Sequence, residues 1–371
     1  MDTKTRSFKR QKVLSSVLVN GVLILISLIW ILPTLGVFVT SFRDSQDIFR
    51  SGWWTIFPRK GYQSSGQIIV PATLDVNGPM QLEGVSGQYT FEQLRAGVVL
   101  PDGRKLTWFG NKRTRQISVS DLKWQGFSLN LTLDNYKNVL SGMEIRYKDG
   151  NGNEIIRQGN NLGGAFLNSV AVAVPATIIP ILIAAFAAYG FAWLNFPGRK
   201  FLFTAVVALL VVPLQIALVP IVQDYTKLNL NGSFLGVWMA HTGFGLPLAI
   251  YLLFNYISQI PRDILESAFI DGASNYTIFT QLILPLSIPA LASFAIFQFL
   301  WVWNDYLVAL VFLGDQNRVV TSALAAIVGE KGQDWHLLTS GAFISMLLPL
   351  AVFFALQRYF VRGIMAGSVK G

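Results

Sequence analysis

Six stretches of the chain run without an Asp, Glu, Lys or Arg: residues 13–40, 158–198, 201–223, 228–261, 272–304 and 335–357. Each is at least as long as the roughly 20 residues a helix needs to cross about 30 Å of hydrocarbon. The pattern predicts an all-α polytopic membrane protein with six transmembrane helices, at Val17–Val39, Phe166–Leu194, Phe201–Val222, Phe234–Ile257, Ile288–Phe312 and Leu338–Phe360. Between the first two, residues 43–160 change character. GQIIV, VVLPDGRKLTWF and RQISVSDLKWQGFSLNLTL alternate apolar with polar positions, and DVNG, PDG and KDGNGN supply turn chemistry. A segment of that length folds on its own account, so it reads as a small, mostly-β insertion. FSLNLTLDNYKNVL at its end reads as a strand running into a helix that leads back to the membrane.

Composition agrees with a membrane class: 52% of the 371 residues are apolar and 13% charged, about half the charge of a soluble domain. Lys and Arg set the orientation. Lys4, Arg6, Lys9, Arg10 and Lys12, then Arg199 and Lys200, then Arg262, then Arg358, Arg362 and Lys370 fall on one side of a six-span layout. That side is expected to be cytoplasmic, with both termini inside and the insertion outside. The first apolar run is too long for a signal core and is read as an uncleaved span. The organisation is then 1–42 (N-terminus and first helix), 43–160 (extracytoplasmic insertion) and 161–371 (a five-helix core with a loop at 259–286).

The formal charge of +9 does not form a nucleic-acid stripe, because fifteen basic residues in 43–157 are interspersed with eleven acids. With no Cys and two His, thiol chemistry is excluded and a metal site is not expected. No nucleophile–base constellation emerges, so the chain is not read as an enzyme.

The loop before the fifth span reads ESAFIDGASNYTIFTQLILP over residues 266–285. Pro261 suits a first helical turn, and Asp263 and Glu266 suit the positive end of a helix dipole. Gly272 suits the left-handed residue that ends a helix. Ile264 with Ala268, and Leu265 with Phe269, repeat at helical spacing and give one apolar face. A cytosolic surface of this kind takes a partner protein or lies on lipid.

This stretch resembles the EAA loop of permease subunits in bacterial ABC importers. Glu266, Ala268, Gly272, Leu284 and Pro285 stand at the motif's positions, while Ser267 replaces its first Ala and Leu282 stands where Ile is usual. Asp271 and Gly272, followed by Ala273 and Ser274, resemble the DGAS variant of carbohydrate importers. AAYGFAWLNFPGRK, WNDYLVALVFL and QRYFVRGIMAGSVKG resemble the second permease subunit of maltose-type systems. The resemblance covers nearly the whole chain except about Arg59–Gly126, and that longer insertion is similar to the one in α-glucoside permeases.

The resemblance implies the type I ABC importer permease fold and a partner set: a second permease subunit, an ATP-binding subunit homodimer, an extracytoplasmic solute-binding protein and a carbohydrate substrate, all at the lipid of the cytoplasmic (inner) membrane of a bacterium. It implies that Glu266, Ser267, Ala268, Asp271, Gly272, Ala273, Leu284 and Pro285 couple the chain to the ATPase, and that the tail Ala366–Gly371 also touches it. The chain has no G-x-x-x-x-G-K-[ST] motif, so ATP and Mg belong to the partner ATPase and this chain binds no cofactor.

Polar residues within spans are candidates for the passage. Asp305 is the foremost, with Gln215, His241, Gln298 and Asn304 able to hydrogen-bond sugar hydroxyls. Asp305 has an alternative reading as a structural contact near the outer surface. Taken from the residues alone, an ion-driven secondary transporter and a membrane-anchored binding or scaffold protein remain as rivals.

Overall fold

In the computed structural model, which describes residues 3–127, 130–142, 144–148, 154–159, 161–331 and 334–366, the apolar runs form helices of unequal continuity. The chain divides into two compact units, one of residues Met1–Ser45 with Thr132–Gly371 and one of Gln46–Leu131.

The first unit opens with α1 (Thr3–Ser41) and, after the second unit, resumes at α4 (Asp134–Ser141) and the hairpin β7 (Glu144–Lys148) and β8 (Glu154–Gln158). The helical series follows: α5 (Leu162–Trp193), α6 (Arg199–Ala208), α7 (Leu214–Lys227), α8 (Phe234–Ile257), α9 (Arg262–Ile270), α10 (Asn275–Ile278), α11 (Leu284–Leu286), α12 (Ile288–Trp303), α13 (Leu307–Leu313), α14 (Val320–Lys331) and α15 (Trp335–Ala366). Among the described residues α1, α5, α8 and α15 are each long and apolar enough to cross a membrane, and the number rises to six where each of two bent pairs is taken as one span.

One bend sits in the third predicted span, and the other, at Ser287, precedes the fifth. Arg199–Val211 and Leu214–Lys227 meet at 103°. Pro213 holds an extended backbone between them, and with no N–H it cannot continue the preceding helix. The fifth predicted span, Ile288–Phe312, is not one helix. It stops at Trp303, where Asn304 Nδ2 turns back onto the Leu300 carbonyl (2.7 Å). Asp305 then accepts the Ala309 N–H (3.0 Å) and starts α13 afresh.

Among the described residues three apolar clusters hold the helical unit. One gathers Val172, Ala176, Val237, Phe299 and Trp303, another Ala184, Ala188, Leu253, Ile257 and Phe294, and a third joins Val139, Leu162, Ala323 and Ile344. Close helix approach depends on small residues: a Cβ on Gly245 would lie 2.7 Å from the Gln298 amide. By contrast, 6% of the apolar window of α1 is buried against 50% of that of α8, so α1 leaves most of its apolar surface to lipid or another chain. Its C-terminal end is fastened. Ser41 Oγ lies 2.7 Å from the Tyr136 hydroxyl, and buried Asn135 donates to the carbonyls of Ser41 (2.9 Å) and Arg43 (2.8 Å).

The second unit contains α2 (Ser45–Arg50, from its second residue), β1 (Arg59–Ile69), β2 (Met80–Gln81), β3 (Gln88–Tyr89), α3 (Phe91–Ala96), β4 (Val98–Val99), β5 (Lys105–Phe109) and β6 (Gln116–Gln125). Its sheet is antiparallel in the order β1-β6-β5-β4. Leu106, Trp108, Ile117 and Val119 fill one face, against Met80, Phe91 and Leu94. The predicted turns form as their chemistry dictates: Asp75 accepts the Asn77 N–H, and Asp102 the Arg104 N–H ahead of a left-handed Gly103. The Arg104 N–H and guanidinium hold the Asp102 carboxyl below its ordinary pKa. The KDGNGN turn lies mostly outside the described residues. The insertion was drawn at 43–160; the compact β unit stops at Leu131, and α4 with β7–β8 belongs to the helical unit.

Candidate functional site

Residues 261–287 form a helix, a reversal and a second helix. Pro261 caps α9 from an extended backbone, and Asp263 lies in its first turn. The far end closes as a Schellman motif: the Ala273 N–H donates to Ala268 O (3.0 Å) and the Gly272 N–H to Phe269 O (3.1 Å). Gly272 has φ +78° with no atom within 4 Å of where a Cβ would stand, so the position is selected by backbone conformation and not by space. Ser274 then accepts the Thr277 N–H and caps α10. DGAS therefore ends one helix, reverses the chain and starts the next.

After α10 the chain makes a π-helical turn, Phe279–Ile283, before α11. Pro285 explains it: the ring has no N–H for the Gln281 carbonyl and would clash with it in a regular α-helix, and a π-turn widens the ladder there. A 71° bend into α12 follows.

The loop is keyed to the bundle on one side. Leu265 is 1% exposed, in the cluster with Ala184, Ala188, Leu253, Ile257 and Phe279, and Ala268, Ala273 and Leu284 pack against that cluster. Phe186 stacks on Phe279 with ring centroids 4.2 Å apart. The Tyr189 hydroxyl donates to Asn275 Oδ1 (3.3 Å), and the Tyr256 hydroxyl to Leu286 O (3.2 Å). These fastenings lie outside the motif and escaped the reading of it, although Asn275 directly follows DGAS. The other side is open. Ile270 is 86% and Tyr276 70% exposed, with Phe269, Glu266, Ser267, Asp271 and Pro285 also exposed. The single apolar face drawn from the spacing thus divides: Leu265 and Ala268 go inward, while Ile264 and Phe269 stay outward.

Of the passage candidates, three are brought together. Gln298 is buried and donates to Ala176 O (3.1 Å) and His241 O (3.5 Å). The His241 ring is wholly buried, edge-on to Trp301, with Nε2 3.8 Å from Asp305 Oδ2. Asn304 and Gln215 are exposed, and the Asn304 side chain turns back onto the Leu300 carbonyl and not onto this group. Among the described residues no cluster of His, Cys, Asp or Glu could hold a metal ion. The tail after Ala366 lies outside the described residues.

Residues 170–366 match the family described as "Binding-protein-dependent transport system inner membrane component". The chain is 47% identical over 347 residues to the osmoprotective compounds uptake permease protein GgtD of Synechocystis sp., covering 93% of this chain and 89% of that one. It is 45% identical over 382 residues to the alpha-glucoside transport system permease protein AglG of Rhizobium meliloti, covering 94% of this chain and 95% of that one. Among solved structures, a chain of a bacterial ABC transporter involved in import of the acidic polysaccharide alginate is similar at 14% identity and a TM-score of 0.46, covering 55% of this chain and 80% of that one.

Proposed function

The chain belongs to the family of binding-protein-dependent transport system inner membrane components, and from that premise we propose that it carries the stroke of a separate ATPase into a carbohydrate passage. It is a permease subunit of an ABC importer. Its substrate is a small glycoside of the α-glucoside class, in keeping with the compounds for which the relative from Rhizobium meliloti is named. A second permease subunit completes the passage, a solute-binding protein delivers the sugar, and ATP with Mg is held by an ATPase dimer on the cytoplasmic side, where both termini lie.

One observation carries the reading. Helix α9 is inserted into the bundle core through Leu265 while the tip of the same loop, Ile270 and Tyr276, stands in solvent. A short rigid element fixed at one end and bare at the other transmits displacement between a partner and the bundle, as rigid-body transitions require. Glu266 and Asp271 give the bare side negative charge for cationic groups on the ATPase, and Gly272 holds the reversal. Within the bundle, buried Gln298 and His241 back Asp305, which is the member of the three assigned to the passage.

The test is uptake by a reconstituted assembly of this chain, its partner permease, the ATPase and the binding protein. Glu266→Lys and Gly272→Pro are each expected to abolish ATP-driven uptake of an α-glucoside while the chain still reaches the membrane. Normal uptake in both variants rejects the coupling role. Uptake that survives ATP depletion and collapses with an ion gradient rejects the importer itself.

A further inference from the structure

The sheet of the β unit leaves one face uncovered, and its composition is unlike a solvent-facing sheet. The register pairs Lys60 with Trp124 and Tyr62 with Leu122 at one end, and Ile69 and Phe109 with Gln116 at the other. These bulky groups are bare: Trp124 is 70% exposed, Phe109 64% and Ile69 73%. Between them the same face carries Ser64, Ser118, Ser120 and Thr107 in adjoining register. The result is a strip with hydroxyls at its middle and bulky side chains at its ends, about 26 Å long at a strand's rise from Gln116 to Trp124.

A protein-docking surface has the reverse anatomy, an apolar centre inside a polar rim. Small hydroxyls in the middle with aromatic rings at the ends suit a linear chain of sugar rings. Such a ligand presents flat C–H faces to aromatics and hydroxyls to Ser and Thr. Aromatic side chains with polar neighbours serve ligands that are apolar on one face and wet on the edge. Charge narrows the class. The face carries Lys60, with Nζ 5.9 Å from the Trp124 ring centroid, and Lys105, with Nζ 5.6 Å from that of Tyr62. The positions this register assigns to the face include neither Asp nor Glu. Each ammonium is poised beside a ring, where an anionic group on a stacked sugar would meet it.

We infer that the open face of the β1-β6-β5-β4 sheet is a binding site for a linear anionic oligosaccharide, separate from the transported solute. Trp124 and Tyr62 stack sugar rings, Lys60 and Lys105 meet the acid groups, and the Ser/Thr row bonds the hydroxyls. The inference does not depend on the transport reading, because binding is measured without ATP or any partner.

The full chain in lipid nanodiscs is titrated calorimetrically with hexagalacturonate, with neutral cellohexaose and with a hexaglutamate peptide. Saturable binding of hexagalacturonate is expected, weakened about tenfold or more by Trp124→Ala and by paired Lys60→Gln and Lys105→Gln. Phe109→Ala at the far end provides a second variant on the same exposed face, and it too should weaken binding at unchanged melting temperature. No saturable binding of hexagalacturonate, or full binding by both Trp124→Ala and Phe109→Ala, overturns the site. Cellohexaose bound as tightly overturns the anionic assignment. The peptide bound as tightly makes the face a protein-docking surface and overturns the sugar.

Discussion

At the scale of single residues, two glycines do different work and fail differently. Gly272 stands in open space at φ +78°, so a side chain there is opposed by backbone strain of about 1–2 kcal/mol and not by a clash. Gly272→Ala is therefore expected to lower substrate-stimulated ATPase activity of the assembly, and Gly272→Asn, which tolerates the left-handed region, to retain more of it. Equal activity for the two would mean that the reversal is not set by this residue. Gly245 is the opposite case. A Cβ there would press on the Gln298 amide at 2.7 Å, forcing it from the Ala176 carbonyl that it bonds at 3.1 Å. Losing that buried bond costs about 1–3 kcal/mol, which thermal melting in detergent will register for Gly245→Ala. In a Gln298→Ala background most of that cost should vanish, since the two changes act on one contact.

At the scale of the element, α9 contains its own control. Leu265 is 1% and Ile270 86% exposed on the same nine-residue helix. Leu265→Ala should destabilise the loop by about 2–5 kcal/mol, as cavity-forming substitutions do. Ile270→Ala should change stability by less than about 0.5 kcal/mol yet weaken co-purification of the ATPase. If Ile270→Ala leaves the assembly intact, the bare side is not the docking side. Helical spacing marked both residues as apolar and could not tell them apart, because which side meets the bundle depends on α5 and α8, remote in sequence. The same limit applies to the spans. Absence of charge identified the apolar runs, and Gly272 was legible because its chemistry is local. The breaks at Pro213 and Asn304 were not legible as breaks. The residues flanking Pro213 are as apolar as any span, and proline inside α5 and α8 leaves those helices continuous. At Asn304 the uncharged run does end, but the apolar LVALVFL that follows Asp305 carried the predicted span past it. Helix α14 was missed because Val320–Lys331 is too short and too weakly apolar to resemble a span. Among the passage candidates, residue type suggested five positions, but only packing shows that His241, Gln298 and Asp305 gather while Gln215 and Asn304 do not.

At the scale of the whole molecule, the chain leaves the helical unit and returns to it at one point. The Thr132 N–H donates to Phe42 O at 2.7 Å, and Asn135, itself buried, ties the carbonyls on either side of Phe42 to α4. Those bonds belong to the helical unit and are made whatever lies between, so residues 46–131 are held as an insertion whose ends are already joined. Such sites tolerate excision, since closing a shorter loop is entropically easier. Replacing Gln46–Leu131 by a short Gly/Ser linker is therefore expected to give a chain that inserts in the membrane and melts within a few degrees of the full-length protein. Asn135→Ala, by contrast, strips donors from both carbonyls and should cost about 1–3 kcal/mol in either background. A deletion variant that fails to accumulate in the membrane, alongside an Asn135→Ala variant that accumulates normally, would show that the β unit and not the clamp holds α1 to the rest of the bundle.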